Sequence, residues 1–533
     1  MTAAPSASPS NRSRSRVALL ATATALALGA AACTTTTPTD TTTTAGATAG
    51  ATAGARAFAY VTCPKPNIPG IPQFDFPANM RCGYLAVPEN RGAAGGRTIR
   101  IFVMRVPAVS ANPQPDPIVV LSGGPGGGGS FEFASRIKAG MNAERELILV
   151  DQRGTHLADP LLGCAEYDES LNRGFIIGFT TAAAATADVA ATKACRDRHA
   201  ATGVDLSAYN TKENAADIAD LRVALGIQSW NVYGVSYGTK LALVSLRDHP
   251  QGIRTLVLDS VSPPNLNIVK DWWSAPAESF KAIFAACRAQ PACAAAFPTL
   301  EADFFATVTR LDASPVVVAT KDASGAPVTL TIDAFAFAFT VIDGSEHGDP
   351  STIPKMIADM ARGNSDLVVK AMLGELVPPP IVGLGGLGLA FTVFCAEGAN
   401  LTTEQEAGAK SKAVLPQFPD RVFTLQPKQG RLFQQCPVWD VKDADASMST
   451  PVVSEIPVLI LEGTFDAATA PSWVDLITPG LKANQLVSMP FTGHSVYGKS
   501  PCSVQITAAF LNSPTRPVDK TCAEKFTRPF VTS

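Results

Sequence analysis

Apolar residues fall along this chain in two rhythms. GYLAVPE (83–89) and RTIRIFVMRVPA (97–108) alternate apolar and polar positions, as an opening antiparallel pair with one covered face would. Five other stretches are short apolar runs closed by Gly, Ser or Asp: PIVVLSGG (117–124), ELILVDQRG (146–154), WNVYGVS (230–236), TLVLDSV (255–261) and VLILEGTFD (458–466). Such runs suit strands buried on both faces, and longer segments of helical composition separate them. The alternation predicts an α/β fold around a mainly parallel sheet. Ligands of open α/β sheets bind beyond the carboxyl ends of the strands, so the polar residues that close these runs should converge.

Helical spacing dominates the long interval between the last two runs. AESFKAIFAACRAQ (277–290), EADFFATVTRLDA (301–313) and TIPKMIADMARG (352–363) carry apolar stripes. An interval of this length exceeds an ordinary crossover and predicts a mainly helical cap inserted into the core. The expected layout is a core in two parts, 58–265 and 451–533, with the cap at 266–450. Trp272 and Trp273 read as cap core rather than substrate pocket.

The N-terminus has a different pattern. NRSRSR (11–16) precedes the apolar run VALLATATALALGAAA (17–32), which is short for a membrane span and ends in small residues before Cys33. Residues 1–32 therefore read as a secretory signal peptide, and AAAC as the site where Cys33 becomes a lipid-modified first residue; plain secretion is the alternative. The Thr/Ala/Gly tract at 33–57 offers no apolar face and reads as a tether to a membrane.

Charge narrows the function. Beyond Cys33 stand 40 of the 43 Lys and Arg residues against all 46 Asp and Glu, a balance that excludes a nucleic-acid partner. Setting Cys33 aside leaves ten of 11 cysteines, an even number suited to an oxidising compartment. Near-neighbour pairing would join Cys63 with Cys82, Cys164 with Cys195, Cys287 with Cys293, Cys395 with Cys436 and Cys502 with Cys522. No C-x-x-C spacing is present, so no metal is expected.

GVSYG (234–238) is a G-x-S-x-G pentapeptide between a strand and the helix-like TKLALVSLRDH, which is the setting of a nucleophile elbow at Ser236. The partners of such a serine follow it in the order acid, then histidine. His494, in the Gly-flanked MPFTGHSVYG, is the base; His249 and His347 are the other histidines after Ser236. Asp466, closing a strand, is the acid, with Asp475 its nearest rival. LSGGPGGGG (121–129) after the first parallel run leaves N–H groups unshielded for an oxyanion hole, together with the N–H of Tyr237. A phosphate loop would need a Lys-Ser/Thr after the glycines, and none follows.

SGGPGGG, DQRGTH (151–156), NTKENAADIADLRVALGI (210–227) and VYGVSYGTKLAL (232–243) together resemble the prolyl iminopeptidase and tripeptidyl aminopeptidase group of α/β-hydrolases, especially its secreted bacterial members. The likeness covers roughly 60–265 and 430–525, and Ser122 stands where many members have His. It implies an α/β-hydrolase fold, Gly124 with Tyr237 as oxyanion donors, and a peptide substrate with a free N-terminus bound by a cap carboxylate. Glu397, in FTVFCAEGAN, is the candidate for that carboxylate. The expected function is an exported serine exopeptidase that releases short N-terminal peptides and needs no cofactor. A carboxylesterase of the same fold is the alternative, and a non-catalytic envelope-binding protein a remoter one.

Overall fold

The computed structural model describes residues 57–64, 77, 79–426 and 430–533. The expected signal segment, Cys33 and all of the Thr/Ala/Gly tract but Ala57 lie outside these residues. No helix of the described residues is long and apolar enough to cross a membrane.

Among the described residues nine strands form one sheet: β1 (Phe58–Val61), β2 (Arg81–Pro88), β3 (Thr98–Val106), β4 (Ile118–Leu121), β5 (Leu147–Asp151), β6 (Trp230–Ser236), β7 (Ile253–Val261), β10 (Val458–Gly463) and β11 (Asn484–Met489). A separate hairpin joins β8 (Val316–Lys321) to β9 (Pro327–Ile332). The order across the sheet is β1-β2-β3-β5-β4-β6-β7-β10-β11. β1, β2 and β3 run antiparallel up to β5, and every pair from β5 onward is parallel. Because β4 lies between β5 and β6, the chain winds in opposite directions on either side of it. The crevice beyond its carboxyl end is where such a sheet binds ligands.

The alternation read in the sequence sorts side chains onto two faces. Ile99, Ile101 and Val103 of β3, with Val119 and Leu121 of β4, enter one buried cluster; Phe102, Met104, Ile118 and Val120 enter another on the opposite face. Each such side chain removed from water contributes about 1.5–3 kcal/mol. The helices α1 (Gly129–Lys138), α2 (Ala165–Ile177), α3 (Ala182–Ala201), α4 (Thr211–Ala224) and α5 (Tyr237–Asp248) follow β4, β5 and β6.

The interval 266–450 is mainly helical, as its spacing predicts, with helices at Ser274–Ala289, Leu300–Ala313 and Ile353–Ala361 over the three striped segments. The β8–β9 hairpin is an addition that the β-branched VVVATK and the alternating PVTLTI could have signalled. This layer has no separate core: Phe280, Phe304 and Phe337 belong to the same buried cluster as Val119 and Val232 of the sheet. It also recruits residues expected in the core's first part. Thr180 N–H donates to Asp333 Oδ2 at 2.8 Å, and Gln435 Nε2 donates to Thr192 Oγ1 at 2.9 Å. The region of α2 and α3 therefore packs with the insertion, bracketed by Cys164–Cys195, and all five near-neighbour disulfides are present.

Candidate active site

Ser236 ends β6 and caps α5 with φ 56° and ψ −127°, a left-handed backbone that a side chain adopts only under constraint. The flanking glycines permit this. A Cβ on Gly234 would stand 2.3 Å from the Gly238 carbonyl, and one on Gly238 would stand 2.0 Å from that of Leu121. Strand, turn and helix are pressed together so closely that only hydrogen fits at either position. The result aims Ser236 into a cavity of about 770 Å³ that Gly123, Gly124, Tyr237 and His494 also line.

His494 Nδ1 lies 2.9 Å from Asp466 Oδ2 and 3.1 Å from Oδ1. Asp466 is fully buried beyond β10, and its carboxylate also accepts from the N–H groups of Ala468 and Thr469 and from Thr469 Oγ1. Burial alone would raise its pKa, but the His494 charge and hydrogen bond, with those N–H groups, hold it below the ordinary carboxylate value. Burial likewise pulls His494 down, and Asp466, aided by Glu346 and Asp259, outweighs it and leaves the imidazole above its ordinary pKa. The rival acid Asp475 is exposed; His249 caps the far end of α5.

Two residues that the sequence reading passed over hold this arrangement. Asp259, closing β7, accepts from Val496 N–H at 2.7 Å, from Tyr497 N–H at 2.9 Å and from Tyr233 Oη at 2.5 Å. Its neighbour Ser260 accepts from Ser495 N–H at 2.9 Å, so three consecutive N–H groups after His494 are tied to the end of one strand. Glu462 of β10, whose pKa burial and Asp466 push well above the ordinary carboxylate range, accepts from Val261 N–H at 2.9 Å and so ties β10 to the end of β7. The strand-end Asp of TLVLDSV was the available signal for the first; nothing in the sequence separates the second from an ordinary strand residue.

The glycine loop is anchored by the DQRGTH segment. Gln152 Nε2 donates to the Ser122 carbonyl at 2.9 Å, and Asp151 accepts from Ser130 N–H and Oγ at 2.8 Å each. Arg153, fully buried, pairs with both oxygens of Asp217 at 2.8 Å and donates to the carbonyls of Glu89 and Ala208. Gly124 has φ +111°, and a Cβ there would meet the Gly126 and Gly127 nitrogens at 2.9 and 3.0 Å. A Cβ on its neighbour Gly123 would approach Ser236 Cβ to 2.8 Å, so the loop lies directly on Ser236.

Glu397 does not take the place expected of it. It is 7% exposed, and its carboxylate accepts from Thr211 N–H and Oγ1 at 2.9 Å each and pairs with Lys240 Nζ at 2.8 Å. A carboxylate in an apolar segment must be paired, and here Lys240 of the elbow helix does the pairing. The insertion's carboxylate on the cavity wall is instead Glu346, at the end of the helix Ala334–Glu346. That helix abuts the histidine loop: a Cβ on Gly493 would fall 1.6 Å from the Ser345 carbonyl. Trp272, expected in the cap core, also lines the cavity, whereas Trp273 is buried against Phe418 and Phe423. Among the described residues Cys164, Cys195 and His199 cluster, but both cysteines are consumed in a disulfide.

Comparison with known proteins agrees with the fold. Residues 116–324 match the alpha/beta hydrolase fold family, and 423–522 match a family described as TAP-like protein. The chain is 28% identical over 214 residues to tripeptidyl aminopeptidase of Streptomyces lividans, covering 38% of each chain. It is 30% identical over 156 residues to a probable proline iminopeptidase of Streptomyces coelicolor, covering 28% of this chain and 34% of that one. With serine protease Hip1 of Mycobacterium tuberculosis it shares 25% identity over 209 residues, 37% of this chain and 39% of the relative. The aligned stretches thus span less than two fifths of these relatives. Among solved structures, the proline iminopeptidase of Mycobacterium smegmatis aligns at 17% identity over 81% of this chain and 98% of that one, with a TM-score of 0.39.

Proposed function

From a chain that has the α/β-hydrolase fold and resembles the tripeptidyl aminopeptidase and proline iminopeptidase group, we propose an exported serine exopeptidase that releases short peptides from free N-termini. The observation that carries this reading is the pairing of His494 Nδ1 with Asp466 at 2.9 Å, with His494 on the same cavity wall as a strained Ser236.

In the proposed reaction His494 accepts the Ser236 proton as Oγ attacks the scissile carbonyl carbon. The carbonyl π electrons move to oxygen, where the N–H groups of Gly124 and Tyr237 stabilise the charge; the latter begins α5, so the helix's positive end adds to it. Collapse of the tetrahedral intermediate breaks the C–N bond, and His494 returns its proton to the leaving amine. Water, deprotonated by His494, then attacks the acyl-enzyme and restores Ser236. Asp466 holds the Nδ1–H tautomer and stabilises the imidazolium throughout. Glu346, on the cavity wall near His494, replaces Glu397 as the carboxylate offered to the substrate's ammonium group. Five disulfides support an oxidising compartment, reached through the 1–32 segment, with Cys33 as the proposed lipid acceptor.

The test compares tripeptidyl anilides with free and acetylated N-termini against short nitrophenyl esters, with Ser236→Ala as control. Turnover of free-amine anilides that acetylation abolishes is the expected result. Ester turnover without any anilide turnover would replace the peptidase with an esterase.

A further inference from the structure

The cavity wall formed by α5 and the inserted helices holds two buried donors that acyl transfer does not use. Lys240 lies one turn into α5 and is 6% exposed; its ammonium carries three N–H groups, and Glu397 takes one of them at 2.8 Å. Trp272 is 7% exposed, lines the same cavity, and its indole Nε1 is buried with no acceptor among the described residues. One network joins the two. Glu397 precedes Gly398, whose carbonyl accepts from Asn267 Nδ2 at 3.0 Å, and Asn267 caps the short helix Ile268–Asp271 that runs into Trp272. Ile268, Val393 and Phe394 make the surrounding wall apolar, and the Trp272 ring meets Phe394 edge-on at 6.1 Å between centroids.

Buried donors in an apolar wall are costly unless a bound molecule supplies an acceptor. The charge of that acceptor follows from the pair. Lys240 and Glu397 together are neutral, so a substrate carboxylate would place a second anion beside Glu397 in a low-dielectric site. A neutral carbonyl oxygen satisfies the same donors without that penalty.

We propose that Lys240 and Trp272 form a carbonyl-binding subsite beside Ser236, which takes an amide oxygen of the acyl group other than the scissile one. The oxygen belongs either to a preceding peptide bond or to a side-chain carboxamide. The subsite rests on the acyl-transfer reading of Ser236 and adds to it a rule of selection: acyl groups with such an oxygen are preferred over acyl groups of similar bulk without one.

The experiment measures kcat/KM for leucyl, glutaminyl, alanyl-leucyl and alanyl-alanyl-leucyl p-nitroanilides. It uses the wild type, Trp272→Phe, and the double variant Lys240→Met with Glu397→Gln, which removes both charges so that neither is stranded. The wild type is expected to favour carbonyl-bearing acyl groups over leucyl by tenfold or more, and each variant to cut that ratio at least fivefold. The glutaminyl and alanyl-leucyl arms separate side-chain from backbone oxygen. A ratio unchanged in both variants, or a wild type that cleaves leucyl anilide as well as the others, would overturn the proposal. If no anilide is cleaved, the peptidase reading fails by itself, and the subsite is tested with nitrophenyl esters of N-acetylglycine and pentanoate under the same criteria. If one variant does not fold, as judged by thermal denaturation, the other decides.

Discussion

Replacing Asp259 by Asn tests whether the end of β7 positions the catalytic base. The carboxylate serves the histidine loop with separate oxygens, Oδ1 toward Val496 N–H at 2.7 Å and Oδ2 toward Tyr497 N–H at 2.9 Å. An amide has one carbonyl oxygen, so one of these N–H groups must face an NH2 donor. Losing one buried, charge-assisted bond costs about 2 kcal/mol. If all of it appears as misplacement of His494, kcat/KM falls about thirtyfold. The substitution also removes a negative charge that helps to raise the His494 pKa, so the midpoint of the acidic limb of the pH–rate profile should move to lower pH. The assay is kcat/KM from pH 5 to 9 on the best substrate found, with circular dichroism to establish the folded fraction. A fall in rate with an unmoved limb would mean that Asp259 only supports the fold. A limb that moved upward would refute the electrostatic account itself.

With His494 as the proposed base, which must be neutral to act, its raised pKa places half-maximal kcat/KM of the wild type above pH 6.5, activity rising with pH through that limb; a midpoint at or below 6.5 would contradict the field of Asp466, Glu346 and Asp259. Arg153→Met leaves the buried Asp217 carboxylate with Arg91 at 2.7 Å but without its two bonds to Arg153, and should cost about 1.5–3 kcal/mol in urea unfolding, which Arg153→Lys recovers only in part because it cannot serve both oxygens. Cys395→Ser with Cys436→Ser opens a loop with a sequence separation of 41, for which chain entropy predicts about 4 kcal/mol; a thermal midpoint unchanged by the pair would show that the insertion is held by packing alone.

The sheet was legible because burial on both faces writes itself as short apolar runs, and all five named runs became parallel strands in the core. Ser236, Asp466 and His494 could be singled out together because each closes a strand or sits in a Gly-flanked loop at the same edge. Glu397 misled because a glutamate beside a buried cysteine looks identical whether its carboxylate faces a ligand or a lysine. Lys240, which decides the matter, lies 157 residues earlier and carries no local mark. The same limit hid Asp259: its bonds run to residues 237 and 238 positions away, and only the fold brings them together. The recruitment of α2 and α3 by the insertion is also non-local, since their helical pattern does not name the face they pack against.

Activation of Ser236 by His494 and Asp466 is tested by mass spectrometry of the protein after reaction with a fluorophosphonate. One adduct per chain is expected, on the peptide carrying Ser236, formed rapidly in the wild type and at least a hundredfold more slowly in His494→Ala. No adduct, an adduct on another residue, or equal labelling of the two proteins would contradict it.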